Sequence, residues 1–298
     1  MTDSKTAVLL LAHGSPDSVD EIPEFLRQVT GGRLMPSQVV AEVRHRYGLI
    51  GRSPLTELTL LQGKLLAEKL GLPVYVGMRN WKPFIADAVR AMTSEAISRA
   101  VAICLAPQNS RTSVGLYRAA LAANNPSFAI DFVESWHNHP LLIKAFAEKL
   151  CAGRSHATAE MGLEIPVIFT AHSVPERTIT EGDPYEEQAK ETAALVAQEA
   201  GLENRQWRFA FQSQGMSGGA WLGPTVEDTI RELKAEGYSG VFIQPIGFLC
   251  DHVEVLYDID IAFKQLAEKQ GTKLWRAQSL NGSPLLAAAL ADIVKSRL

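Results

Sequence analysis

The chain reads as an α/β protein made of two similar halves, each with a parallel sheet, facing a common cleft. Two observations predict this. Short apolar runs alternate with longer stretches of helical period, the order expected where helices cover parallel strands. A strand-and-turn pattern also occurs twice: Val8-Leu-Leu-Leu-Ala-His13-Gly-Ser-Pro16 and Val167-Ile-Phe-Thr-Ala-His172-Ser-Val-Pro175 are apolar runs that each end in Ala-His-x-x-Pro. A second echo supports the first. Gly77-Met-Arg-Asn-Trp81-Lys-Pro83 leads from a strand towards a helix, as does the stretch from Gln212 through Trp221-Leu-Gly-Pro224.

Taken in order, the apolar runs predict strands over Ala7–Ala12, Pro73–Gly77, Ala100–Leu105, Ala129–Val133, Pro166–Ala171, Trp207–Gln212 and Gly240–Pro245. The amphipathic stretches between them predict helices over Pro54–Leu70, Pro83–Ile97, Pro140–Cys151, Tyr185–Ala200, Thr225–Glu236 and Asp251–Lys269. Several open at or just after proline, which a first helical turn tolerates because its N–H would lack a partner anyway. Ala152–Glu164 is the most polar break, so the halves are expected at 1–152 and 153–298, with the last helix packing back on the first half.

Composition narrows the function classes. With 298 residues and 46% hydrophobic content, the chain can bury a sizeable core. Its net charge is −4 and its Lys and Arg are scattered, which leaves no electrostatic footprint for nucleic acid. The apolar run before Gly14 is short and follows an acidic Asp3, unlike a signal peptide or a membrane span, so a cytoplasmic location is expected. No transmembrane segment or C-terminal anchor is expected; a peripheral membrane contact and the oligomeric state are left open. Cys104, Cys151 and Cys250 are widely spaced and indicate neither a disulfide framework nor an iron–sulfur site. No G-x-G-x-x-G or phosphate-loop lysine motif occurs, so NAD and ATP are not needed.

The two Ala-His turns matter because open α/β sheets bind ligands at the C-terminal ends of their strands. Each half thus presents one imidazole, His13 or His172, to the cleft. The densest chemical segment is Gln244-Pro-Ile-Gly-Phe-Leu-Cys250-Asp251-His252-Val-Glu254-Val-Leu-Tyr257-Asp258-Ile-Asp260. Asp251 stands where an N-cap would accept amide hydrogen bonds. Glu254 and Asp258, four apart, share one helix face, and like carboxylates there call for a cation or a proton between them. Two other signals carry less. Gly215-Met-Ser217-Gly-Gly219 matches the G-x-S-x-G hydrolase pattern, but its glycine-rich surroundings read as a loop. His137-x-His139 precedes Pro140 without a nearby third ligand and reads as a pair of surface histidines.

These and further segments together resemble the ferrochelatases, the family that completes haem synthesis. They are Ala12-His-Gly-Ser-Pro16, Arg46-Tyr47 with Ile50-Gly-Arg-Ser-Pro-Leu55, Gly77-Met-Arg-Asn-Trp81, Leu105-Ala-Pro-Gln108, Phe169-Thr-Ala-His172-Ser-Val-Pro175, Gly182-Asp-Pro-Tyr185, Trp221-Leu-Gly-Pro224 and Pro245 through Tyr257, in order along nearly the whole chain. The resemblance implies two Rossmann-like halves around a porphyrin cleft. It also implies a lyase that inserts Fe²⁺ into protoporphyrin IX or coproporphyrin III, with porphyrin and ferrous iron as substrates and no organic cofactor. It places His172 and Glu254 at the metal as catalytic residues, with Asp251, His252 and Asp258 supporting them. His13 falls on the opposite face of the macrocycle, where it can ligate product iron. Arg46, Tyr47, Ser53 and Tyr117 match positions lining the porphyrin, and arginine with hydroxyls suits propionate carboxylates.

Three departures stand out. The turn Ile50-Gly-Arg-Ser-Pro is one residue shorter than the family's usual Ile-Gly-Gly-x-Ser-Pro, Thr30-Gly-Gly-Arg33 has one arginine where some members have several, and Ala262 interrupts the acidic row after Asp258. Two rivals are a non-catalytic haem or tetrapyrrole carrier using His13 as axial ligand, and a cobalt or nickel chelatase for another tetrapyrrole. The acids beside His172 weigh against the carrier.

Overall fold

The structure, a computed structural model, describes residues 5–214 and 219–298. The first half runs β1 (Thr6–Ala12), α1 (Ile22–Val29), α2 (Ser37–Ile50), α3 (Leu55–Leu70), β2 (Val74–Met78), α4 (Ile85–Ser94), β3 (Arg99–Cys104), α5 (Val114–Ala123) and β4 (Ala129–Val133). The long α6 (Pro140–Met161) leads to the second half: β5 (Val167–His172), α7 (Glu176–Thr180), α8 (Tyr185–Glu199), β6 (Trp207–Gln212), α9 (Val226–Ala235), β7 (Gly240–Pro245), α10 (Val253–Leu256), a π-turn (Asp258–Phe263), α11 (Lys264–Lys269), β8 (Lys273–Arg276) and α12 (Pro284–Lys295).

Both sheets are parallel and share one topology, β2-β1-β3-β4 and β6-β5-β7-β8. In each, the first strand lies between the next two, so the connections leave its C-terminal end in opposite directions and open a crevice there. The second echo is structural too. Met78 N donates to Pro83 O at 2.7 Å and Phe211 N donates to Pro224 O at 2.8 Å, so each second strand closes on the proline that precedes its helix.

The predicted strands all form, because near-continuous apolar runs are what a sheet covered on both faces requires. β1, for instance, is fully buried from Ala7 to Leu11. β8 escaped the sequence reading because Lys273-Leu-Trp-Arg276 is short and charged at both ends, as an edge strand tends to be. The expected break after Cys151 does not occur. α6 continues to Met161, turning its polar residues outward while Ala157 is buried, and ends on Gly162 in the left-handed region at φ 66°. The 152/153 division therefore falls inside a helix that packs against β7, β8, α8 and α12, and one apolar cluster includes Val8, Phe146, Phe169, Phe242 and Leu290. α12 lies against α3 and α6.

The helix expected over Asp251–Lys269 is also altered. It begins at Val253 and widens into the π-turn, where Ala262 N donates to Tyr257 O, five residues back, at 2.9 Å. π-turns inside helices cluster at functional sites.

Candidate functional site

A cleft of about 580 Å³ opens at the C-terminal ends of β1 and β5, within the size range of small-molecule sites. It is lined by His13, Arg46, Tyr47, Ser53, Tyr117, His172, His252, Glu254 and Asp258, together with apolar walls from Phe25, Leu26, Val29, Leu105 and Phe248. Of the sequence-predicted site residues, Asp251 alone is turned away. Instead of capping α10, it accepts Ser279 Oγ at 2.8 Å and Asn281 Nδ2 at 2.9 Å and pairs with Arg276 at 3.2 Å. The position before Val253 belongs to His252 in extended conformation, so Asp251 anchors the loop from behind.

His172 ends β5, and its Nδ1 donates to the Ser173 carbonyl at 2.5 Å, which leaves Nε2 facing the cleft. Tyr185 Oη donates to the His172 carbonyl at 2.9 Å and fixes the same turn from α8. Across from Nε2, at 3.5 Å, stands Glu254 Oε1, and His252 Nε2 lies 3.5 Å from Glu254 Oε2. Gln212 Nε2 donates to the Glu254 carbonyl at 2.9 Å, tying α10 to the end of β6. About one third of each of His172 and Glu254 remains open to the cleft.

Electrostatics follow from this geometry. Burial pulls the His172 pKa down, but the Glu254 carboxylate, the Ser173 carbonyl and Asp258 outweigh it and push it up to about 9. Burial likewise works against the Glu254 carboxylate, yet His172 and His252 hold it well below the usual range. Near neutral pH the pair is an imidazolium beside a carboxylate. Asp258 behaves in the opposite way: burial and the neighbouring Glu254 charge push it up to about 6, despite Ser213 and Arg46. Glu254 and Asp258 thus share one wall with unequal affinities for a proton: His172 and His252 hold Glu254 ionised, while Asp258 takes up a proton as pH falls towards 6. Among the described residues no group of three or more His, Cys, Asp or Glu is arranged to hold a metal.

On the opposite wall, His13 ends β1 and donates Nδ1 to the Gly14 carbonyl at 3.0 Å. The surrounding protein strips solvent from it and Arg79 adds a like charge, so its pKa falls despite the Gly14 carbonyl. Tyr47 Oη lies 3.1 Å from Ser15 Oγ, and burial pushes its pKa up to about 12. Arg46 reaches Glu42 at 2.8 Å and Asp258 at 3.7 Å, spanning from α2 to the π-turn. Ser53 is buried at the cleft, while Arg52 points out towards Asp17 and Glu57, so the shortened turn still delivers its serine.

The sequence reading assigned no role to Arg79, Gln108 or Tyr185, all of which line the cleft. Gln108 Nε2 donates to Thr192 Oγ1 at 3.1 Å and to the Ile246 carbonyl at 3.2 Å, joining the halves at the cleft floor. Each sits in a motif quoted above, but nothing local marks it as more than a turn residue. His137 was misread as a surface residue. It is buried between Ser135 Oγ at 2.7 Å and Glu191 at 2.8 Å, whereas His139 caps α6 and faces Asp292 at 3.2 Å, so the two do not converge on a metal. Apart from Gly219, the G-x-S-x-G segment lies outside the described residues.

Two parallel α/β halves closing on one cleft are a fold found in other solved structures. A cobalt-bound sirohydrochlorin chelatase, SirB, from Bacillus subtilis subspecies spizizenii shares the fold at a TM-score of 0.55 and 12% identity, covering 98% of this chain and 94% of its own. The siroheme-biosynthesis enzyme CbiX does so at 0.53 and 14%, covering 98% and 99%. The chain belongs to the ferrochelatase family, whose model matches residues 5–298. It is 57% identical to a ferrochelatase of Acidobacterium capsulatum, over 99% of this chain and 95% of that one. It is 36% identical to a coproporphyrin III ferrochelatase of a Geobacillus strain, over 100% and 99%.

Proposed function

We propose that the protein is a lyase that inserts ferrous iron into a porphyrin in haem biosynthesis, with His172 and Glu254 receiving the metal. The observation that supports this best is the 3.5 Å pair of His172 Nε2 and Glu254 Oε1, held from behind and open to the cleft. Imidazole and carboxylate together suit a borderline divalent ion. The pair holds a proton between its members in the empty site, and an arriving Fe²⁺ takes that proton's place without leaving Glu254 unbalanced.

Metal insertion releases two pyrrole protons for each iron bound. Once iron passes to the ring nitrogens, His172 is free again and basic enough to take one of them, so it acts first as ligand and then as proton acceptor. Asp258, poised near 6, provides the next site outward for a proton. His252 and Asp251 serve as supports, the first beside Glu254 and the second behind the loop. His13, Tyr47, Ser53 and Tyr117 face the macrocycle. The apolar walls pin the ring, and bending it towards the metal draws on binding energy of roughly 1–5 kcal/mol. Every ligand and proton carrier in this scheme comes from the chain or the substrates, so no organic cofactor belongs to it. Among the described residues no helix is long and apolar enough to cross a membrane; the cytoplasmic location expected from the sequence is part of the same proposal.

Anaerobic incubation with Fe²⁺ and either protoporphyrin IX or coproporphyrin III, followed by the Soret band, tests the reading. Metal insertion into one of them is expected. Porphyrin binding with insertion into neither would overturn it in favour of the carrier.

A further inference from the structure

The wall that carries Glu254 is built from pieces too short to hold themselves. α10 has four residues and the π-turn after it six, and neither length is stable on its own hydrogen bonds, so contacts from elsewhere set their orientation. Gln212 holds the segment from β6 through the Glu254 carbonyl. From behind, it is held by Arg276, the last residue of the edge strand β8. The guanidinium donates Nε to Asp260 Oδ1 at 2.7 Å and Nη2 to Asp260 Oδ2 at 2.8 Å, and the same Nη2 lies 3.2 Å from Asp251 Oδ1. Nη1 donates to the Ala277 carbonyl at 3.0 Å, which fixes the plane of the group against its own strand.

Asp251 stands three residues before Glu254, and Asp260 two after Asp258. One guanidinium therefore holds both flanks of the segment that carries the cleft acids. Arg276 lies behind the cleft, in a separate hollow lined with Asp251 and Asp260, so it acts on metal or ring only through that segment. Ion pairs as open as this one add little stability, since the Asp260 side chain is 39% exposed. What the fork supplies is direction: two parallel bonds to one carboxylate and a third contact to another define a plane, which a point charge does not. We propose that Arg276 is the positioning residue of the metal-receiving wall, clamping Asp251 and Asp260 so that the turn between them presents Glu254 to His172. This rests on the iron-insertion reading above and adds to it a residue that acts through Glu254.

Steady-state insertion of Fe²⁺ into protoporphyrin IX or coproporphyrin III, titration of the same porphyrin without metal, and thermal unfolding would be compared in wild type, Arg276→Met, Arg276→Lys and Asp260→Asn. A misplacement of about 1 Å at a reacting group costs on the order of a hundredfold, so Arg276→Met is expected to lower kcat/KM for Fe²⁺ by about thirtyfold or more while the porphyrin Kd stays within about twofold. Arg276→Lys keeps the charge and loses the fork; it should unfold near the wild-type temperature and still show most of the insertion loss. Asp260→Asn keeps Arg276 and one oxygen acceptor, and its loss should be smaller, about fivefold. Insertion restored by Arg276→Lys, insertion in Arg276→Met within about threefold of wild type, or porphyrin binding weakened as much as insertion would each overturn the positioning role, while wild-type turnover keeps the iron-insertion reading intact. Should Arg276→Met fail to fold, Arg276→Lys and Asp260→Asn decide by the same comparison. A wild-type protein that inserts iron into neither porphyrin would overturn both.

Discussion

The His13 and His172 turns stand at equivalent ends of equivalent strands, and the two rings are held alike. Each donates Nδ1 to the carbonyl of the next residue and points Nε2 into the cleft. Their surroundings have opposite charge. Beside His172 stand Glu254 and Asp258, from the segment after β7; on the His13 side the largest charge effect is that of Arg79 after β2, with Glu254 and His252 acting more weakly from across the cleft. The repeated strand sets where an imidazole stands, and the unrepeated segments decide what it can hold. In the proposed scheme one wall receives a cation and the other faces the ring.

Removing the groups that make the walls unlike should have the largest effect. His172→Ala and Glu254→Gln are each expected to lower kcat/KM for iron insertion by about a thousandfold or more, because in the proposed scheme each takes away one of two metal ligands. His13→Ala should stay within about tenfold, since in this scheme it touches the ring or the product. Steady-state insertion assays on the three variants decide it. Equal losses at His13 and His172 would make the two turns functional equals and break the comparison.

A second contrast lies in the residue after each histidine. Gly14 has φ 85°, and a Cβ there would meet Trp81 N at 2.8 Å. That atom is backbone and cannot move aside. Gly14→Ala should therefore cost roughly 2–4 kcal/mol, combining left-handed strain with overpacking. Ser173 instead donates Oγ to the Leu222 carbonyl at 2.9 Å and is fully buried. Ser173→Ala should cost roughly 1–2 kcal/mol for the acceptor left unpaired. Denaturant unfolding measures both, and a Gly14→Ala loss below that of Ser173→Ala would show that the first turn is not locked as drawn.

The difference between the walls was only half legible in the sequence. The strands, the two Ala-His turns and the acids of α10 could be read because apolar runs and short motifs report local structure. The surroundings of Arg79 could not, since the lack of a partner for its buried Nε is a property of the fold. The same holds for Gln108, whose partners Thr192 and Ile246 lie 84 and 138 residues away. Composition misled where it was read as a boundary: the polar stretch after Cys151 is the outer face of α6. It misled again at Asp251, whose apparent capping role yields to Ser279, Asn281 and Arg276, all far downstream.

The smallest effects concern pH, and the two walls should answer it with opposite sign. Asp258 is raised in the folded state to about 6 from an ordinary 3.8. The native protein therefore holds this proton more tightly than the unfolded chain does. The stability it contributes is fully present below pH 3.8 and is lost as pH rises through 6. With the side chain 11% exposed, the swing is about 2 kcal/mol. Asp258→Asn should thus gain on wild type as pH is raised from 4 to 8. His13 is lowered from 6.5, so its contribution is present above 6.5 and fades as pH falls below it. Its slope should be shallow, because the ring reaches open water in the cleft, and His13→Gln should abolish it. Chemical denaturation of wild type and both variants across pH 4–8 checks the signs. If Asp258→Asn lost ground with rising pH, the native protein would not hold the Asp258 proton more tightly than the unfolded chain does, and the burial and Glu254 charge credited with raising this acid would not govern it.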